Sequence, residues 1–243
     1  MGSVDADGAA GFLERAAQSR QEVMELLASR SLMVVSGRRL VISLLTGVIG
    51  DRCQWFGFAT SENEGLELLS RRQPQLLFVT HPLRPGSGLE LVRRAKALHP
   101  QLRCLLFLEE ESPPLVRAAL EVHCDGICAD QGVGFGHLVA ATRAVLGGGF
   151  YMEPQLRDLL ALACRSSLAP TGPGLSVREL EVLERVVRGY QNAQIAAQLH
   201  LSVETVRSHL KSAFQKLGAT GRAQAAVMAV CQGLVNWHLD ELP

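Results

Sequence analysis

The sequence predicts an α/β domain on a doubly wound, five-stranded parallel sheet, followed by an all-α domain. Three observations carry this. From residue 32, short apolar runs alternate five times with helical patterns, which argues for a parallel sheet covered on both faces. The runs at 76–79 and 104–108 are continuously apolar, as central strands buried on both sides require. Past the Pro/Gly/Ser stretch SSLAPTGPG, residues 166–174, only helical patterns remain.

Residues 1–10 are small and acidic, and a frayed end is expected there. Residues 11–29 can form a helix with Phe12, Leu13, Ala16, Val23, Leu26 and Leu27 as its apolar positions. Strands are expected at 32–36, 54–59, 76–80, 103–108 and 126–129. Helices are expected between and after them at 38–50, 62–72, 88–98, 113–122 and 134–147. Ser61 with Glu64, and Ser87 with Glu90, have capping-box spacing. GGGFYMEP at 147–154 ends the last of these helices, and 154–166 can form one more. The expected organisation is an N-terminal extension at 1–30, a sheet domain at 31–152, a linker at 153–174 and a helical domain at 175–240.

Composition narrows the function. The chain has 243 residues, 47% of them hydrophobic, which supports real cores and argues against disorder. Net charge is zero, but between Leu175 and Leu239 there are seven Arg/Lys against four Glu. No apolar run reaches the roughly 18–20 residues of a membrane span. The first 21 residues lack the basic and apolar regions of a signal peptide, so a cytosolic location and no membrane partner are expected. The six cysteines form no disulfide framework. Cys124 and Cys128 flank the start of the fifth strand and are candidates for redox sensing, with reduced, partly buried thiols as the competing reading. The seven histidines are scattered, so no metal or cofactor is expected.

The helical domain carries the strongest signal. Ser176 and Glu179 form a third capping box, Leu180, Leu183, Val186 and Val187 give the next helix an apolar face, and Gly189 closes it. Asn192 can cap a short helix with Ile195, Ala196 and Leu199 inward. HLS, residues 200–202, is a tight turn whose Ser202 caps the following helix. There Val206, Leu210, Ala213, Phe214 and Leu217 form one buried stripe, opposite Arg207, Ser208, Lys211 and Gln215. Two short helices joined by a tight turn, the second basic on its free face, describe a helix-turn-helix. Arg207 can donate two hydrogen bonds to a guanine edge, Lys211 can reach bases or phosphate, and Lys216 is better placed for phosphate. The competing reading is a helical bundle with a solvated charged face.

Residues 175–235 resemble the LuxR-type (GerE-like) DNA-binding domain. The matching pieces are L-S-x-R-E-x-E-V-L, N-x-x-I-A-x-x-L, L-S-x-E-T-V-R-S-H-L, K-L-G and R-x-Q-A-A. The resemblance implies a recognition helix from near Val203, with Thr205, Arg207, Ser208 and Lys211 facing double-stranded DNA, and Asn192, Ser202 and Lys216 complete the expected DNA-binding set. It also implies that the last helix, 222–233, mediates homodimerisation. That helix opens at Arg222, and Ala223, Ala225, Ala226 and Ala229 would allow close approach of two copies. Gly221 departs from the Asp or Asn cap common in that family.

Residues 31–150 then resemble the flavodoxin-like receiver domain of NarL/FixJ-type response regulators, through the strand order, P-x-x-x-x-L-R-P-G-S-G-L-E-L-V, A-L-E-V-H-C-D-G and AATRAVLGGGFYMEP. Phosphorylation in that family needs two acids after the first strand for Mg²⁺, an acceptor Asp after the third, a Thr or Ser after the fourth and a Lys after the fifth. Here Ser36 and Gly37 follow the first strand, Thr80 holds the acceptor position, Leu108 stands for the Thr/Ser and Asp130 for the Lys. No Asp or Glu lies between Ala28 and Gly50, and no Asp between Arg52 and Cys124, so a shift of alignment does not restore the site. A pseudo-receiver working without Asp phosphorylation is expected, with no histidine kinase as partner. Arg38 or Arg39 is expected to pair with Glu109, Glu110 or Glu111 across the pocket, against solvated surface charge as the bland reading.

The expected function is a sequence-specific, DNA-binding transcription regulator rather than an enzyme. The alternatives are an interaction protein that titrates a partner regulator, and a redox-responsive regulator using Cys124 and Cys128.

Overall fold

The computed structural model describes residues 6–130, 135–165, 174–232 and 234–235. The elements alternate as expected. They are α1 (Ala6–Leu27), β1 (Ser31–Val35), α2 (Arg39–Ile49), β2 (Gln54–Ala59), α3 (Glu62–Arg71), β3 (Leu76–His81) and α4 (Gly88–Leu98). Then come β4 (Arg103–Leu108), α5 (Pro113–Glu121), β5 (Gly126–Ala129), α6 (Phe135–Leu146), β6 (Tyr151–Met152) and α7 (Pro154–Arg165). The last four are α8 (Val177–Val187), α9 (Asn192–Leu199), α10 (Val203–Leu217) and α11 (Arg222–Cys231).

The sheet has the order β2-β1-β3-β4-β5-β6. The pairs β1–β2, β1–β3, β3–β4 and β5–β6 are parallel. The expected five strands are therefore six. Tyr151 donates its backbone N–H to Asp125 O at 3.0 Å, and Glu153 donates to Ile127 O at 3.0 Å. Two residues are too few for a periodic signal, so sequence alone assigned this segment to the end of a helix. The helix α1 also begins earlier than expected, at Ala6.

Central strands behave as their composition demands. Leu76, Leu77 and Val79 of β3, and Leu105, Leu106 and Leu108 of β4, are wholly buried. Phe78 meets Phe107 edge-on at 5.6 Å, a favoured aromatic geometry. α1 adds to this core through Val23 and Leu27. Polar contacts fix it there: Arg20 donates to Val48 O and Gly47 O, and Arg143 of α6 pairs with Glu22 at 2.8 Å.

By packing, the chain divides into two units. One comprises Met1–Glu109 with Cys128–Arg143, the other Glu110–Ile127 with Ala144–Pro243. The second therefore joins α5 and α7 to α8–α11, because α11 packs on α7 and α5 as well as on α8 and α10. Of the expected boundary stretch at 166–174, residues 166–173 lie outside the described residues.

The capping serines work, though only one box closes fully. Ser61 and Ser87 accept from the backbone N–H of Glu64 and Glu90, each at 3.3 Å. Glu64 then turns to the Thr60 N–H at 2.8 Å instead of completing its box. Two glycines shape the β3–α4 loop. A Cβ on Gly88 would lie 2.3 Å from Thr80 O, and Gly86 has φ +111 with Glu62 Cβ 2.5 Å from a would-be Cβ. Only glycine lets α4 start this close to the end of β3.

Candidate nucleic-acid interface and strand-end pocket

The helix-turn-helix is built from short local rules. α9 ends at His200, which takes the left-handed conformation at φ 55. Leu201 then donates back to Ala196 O at 2.9 Å. Ser202 starts α10 by accepting from the Thr205 N–H at 3.0 Å. Its hydroxyl also bonds the Thr205 hydroxyl at 2.7 Å. Inward, α10 buries Val206, Leu210, Ala213 and Leu217 against Val182, Leu183, Val186 and Val187 of α8 and Ile195 and Ala196 of α9. Outward, Arg207, Ser208 and Lys211 are exposed and Thr205 is half-buried. This places the expected DNA-facing residues of α10 together on one free face. Arg207 pairs with Glu204, one turn before it, at 3.0 Å, and both side chains are exposed. On DNA that pair must open, or Glu204 must accept from a cytosine amine.

Behind this face lies a clamp that the sequence showed only in part. Glu179 closes its capping box: Ser176 N–H donates to Oε2 at 2.6 Å, and Ser176 Oγ accepts from the Glu179 N–H. Its carboxylate also reaches α10. Ser212 Oγ donates to Oε1 at 2.5 Å, and Lys216 Nζ lies 3.0 Å from Oε1 and 2.7 Å from Oε2. Burial alone would raise the Glu179 pKa. Hydrogen bonds from Lys216, Ser212 and Ser176 outweigh it and hold the value down at about 2. Lys216, expected to contact phosphate, is here paired with a buried carboxylate. The available signal was Ser212 and Lys216 at i,i+4, on one face of α10.

Three further expectations change. Gln191, not Asn192, caps α9, exchanging bonds with Gln194. Asn192 Oδ1 instead accepts from Arg222 Nη1 at 2.8 Å, and Arg222 Nη2 donates to Tyr190 O. Burial lowers the Arg222 pKa to about 10. Arg222 thus ties α11 to the start of α9. The alanines Ala223, Ala225, Ala226 and Ala229 are all buried, Ala225 and Ala229 completely. Their small size seats α11 among its own neighbours, α8, α10, α7 and α5.

In the other unit, the strand ends border a small space of about 70 Å³, lined by Val34, Val35, Phe78, Thr80, Phe107 and Asp130 among others. Ser36 and Thr80 are buried, and Thr80 Oγ1 donates to Ser36 Oγ at 3.1 Å. The Arg38 N–H donates to the same oxygen at 3.2 Å. Leu108 is buried and its carbonyl accepts from the Asp130 N–H at 2.7 Å. Asp130, the one carboxylate among the described lining residues, is held by Arg38 at 2.6 Å. Arg38 therefore pairs across to Asp130, not to Glu109–Glu111. The chain turns from β5 back over the end of β1, a proximity that linear spacing does not reveal. Among the described residues at this point, the oxygen groups are two hydroxyls joined by one hydrogen bond and one carboxylate paired with Arg38. Gly37 leaves the turn after β1 close to the β3–α4 loop, with Arg84 N 3.3 Å from a would-be Cβ.

Cys124 and Cys128 are buried and unbridged. Cys124 Sγ donates to Ala119 O at 3.0 Å. Sensor thiols are accessible to oxidant, and these are packed as small apolar groups.

Comparison with known proteins agrees with the helical half and extends past it. Residues 173–229 match the model of bacterial regulatory proteins of the luxR family. The transcriptional activator protein ExaE of Pseudomonas putida is 32% identical over 183 residues, covering 73% of this chain and 84% of that protein. A probable transcriptional regulatory protein NarL of Mycobacterium tuberculosis is 28% identical over 199 residues, covering 82% of this chain and 88% of that one. Among solved structures, RcsB from Salmonella enterica serovar Typhimurium, bound to a promoter in the presence of a phosphomimetic, shares the fold at a TM-score of 0.51 and 21% identity. That match covers 85% of this chain and all of that one. Among the described residues no helix is long and apolar enough to cross a membrane.

Proposed function

Because the chain belongs to the luxR family of bacterial regulatory proteins and joins a receiver-like sheet domain to a helix-turn-helix, we propose that it is a promoter-binding transcription regulator whose receiver-like domain works without Asp phosphorylation. The observation that carries the DNA-binding half is the free face of α10, with Arg207, Ser208 and Lys211 exposed over a fully packed inner stripe. The physical logic is division of labour. Ser202 and Glu179 fix the helix, Arg207 and Thr205 read base edges, and Lys211 anchors to phosphate. Two copies would read two half-sites about one helical turn apart. The alanine face of α11 is occupied within the chain, so such a dimer forms through another surface or after α11 is released.

Fluorescence anisotropy with promoter DNA tests this reading. Expected is binding that weakens steeply with salt, since each neutralised phosphate releases counterions. Salt-independent or absent DNA binding would instead favour the protein that titrates a partner regulator. The redox alternative has only two buried thiols behind it.

The strand-end pocket supports the phosphorylation-independent half. With Thr80 at the acceptor position and Asp130 tied to Arg38, the described strand ends offer no carboxylate at the acceptor position and no pair of acids for the cation. Incubation with acetyl phosphate and Mg²⁺ is expected to leave both the wild type and Thr80→Asp unphosphorylated on a phosphate-affinity gel. A shifted band for the wild type would overturn it.

A further inference from the structure

In the first unit, α2 carries almost no charge for a helix at the surface. Among its residues, RLVISLLTGVI, only Arg39 is charged. Its inner side meets the sheet: Ile49 is buried, Val41, Leu45 and Val48 are half-buried, and Val41 and Leu45 border the strand-end space. Its outer side repeats the apolar spacing. Leu40, Ser43, Leu44 and Gly47 fall at i, i+3, i+4 and i+7, and all four are exposed. Leu40 is 63% and Leu44 59% exposed. A helix normally turns that spacing toward a core. The neighbouring helices differ: α3 and α4 cover their outer turns with ion pairs, Glu67–Arg71 and Glu90–Arg93.

Gly47 adds a second observation. Inside a helix glycine is less favourable than alanine, and a Cβ on Gly47 would meet nothing within 4 Å. No group of the described chain needs the gap. With Ser43 beside it, Gly47 leaves a shallow floor next to two leucines, on which the ridge of another helix can sit closely.

The border of this stripe is basic. Arg39 stands exposed at its N-terminal end. At its C-terminal end the exposed Arg20 of α1 donates to the carbonyls of Gly47 and Val48, contacts that leave its charge in place. Arg52 is exposed in the turn after α2, and Asp51 is the single acid between Arg38 and Arg52. Glu64, which feels the charge of Arg39, is held by Thr60. A second copy laid along the stripe in either direction would bring arginine against arginine. An acidic helix would bring opposite charges together at both ends.

We propose that the α2 stripe docks an amphipathic helix of another protein, with apolar side chains seated beside Leu40 and Leu44 over Ser43 and Gly47, and carboxylates toward Arg39 and Arg20. Two turns of partner suffice, since Leu40 to Gly47 spans about 10 Å of helix axis. Nothing in the promoter-binding reading requires such a surface. It would give the sheet domain an input other than phosphoryl transfer.

The test uses the full chain and no DNA, so its failure is distinguishable from failure of the promoter-binding reading. The probe is a fluorescein-labelled peptide of about 18 residues, long enough to be helical. It has leucines at i, i+3, i+4 and i+7 and glutamates along the flanks. One counterpart has lysine for each glutamate, another glutamine for each leucine. Expected is saturable anisotropy with the glutamate peptide, at least about tenfold tighter than with the lysine peptide and weaker at high salt. Leu44→Gln and Gly47→Gln should each weaken binding by at least about tenfold. Both positions are exposed, so circular dichroism melts should show both variants folded. Arg39→Gln should reduce the preference for glutamate over lysine. No saturable binding of the glutamate peptide, equal binding of the three peptides, or binding undiminished by Leu44→Gln would overturn the proposal. So would sedimentation of the chain alone in which the wild type self-associates and Leu44→Gln does not, because the stripe would then belong to a second copy.

Discussion

Glu179→Gln is expected to destabilise the α8–α10 packing by about 2 kcal/mol, the scale of losing charge-assisted bonds at a buried group. Glutamine keeps the shape but cannot accept from Ser176, Ser212 and Lys216 together, and it leaves the Lys216 ammonium without its counter-charge. The effect has a pH signature. In the folded chain this carboxyl has a pKa of about 2, against an ordinary 4.5. A depressed folded value gives stability that is fully present above pH 4.5 and is lost as pH falls toward 2. The gap between wild type and Glu179→Gln in urea melts followed by circular dichroism is therefore widest near neutrality. It should close between pH 4.5 and about 2, and a gap constant with pH would show that the clamp is not ionic.

Arg207→Ala is expected to weaken binding to a cognate operator by about tenfold to a hundredfold, since a bidentate base contact contributes roughly 1–3 kcal/mol of discrimination. Binding to scrambled DNA should change far less. Lys211→Ala should weaken both and lower the salt slope by about one phosphate contact. Lys216→Ala separates the two roles of lysine on α10. It should leave the salt slope unchanged while lowering the melting temperature, because its ammonium lies against Glu179 and not on the free face. Anisotropy across a salt series with the three variants decides this.

What could be read in advance followed from local physics. Apolar runs located β3 and β4, and Ser-x-x-Glu spacing located helix starts, because both signals sit within a few residues. β6 was invisible at two residues. Gln191 and Asn192 could each cap α9, and only the folded chain, where Arg222 takes Asn192, resolves the choice. The missed contacts are long-range ones. Glu179 meets residues on another helix, and Arg38 meets Asp130 from the far end of the sheet domain. The alanines of α11, expected to let two copies approach, are buried among the chain's own helices, a placement that composition alone does not reveal.

The length of β6 has a consequence for behaviour at high concentration. An open sheet edge exposes a row of unpaired peptide groups on which another extended chain can add. Here the strand on that flank is Tyr151–Met152 and no more. So short a border offers almost no template, which guards that side of the sheet against edge-to-edge aggregation.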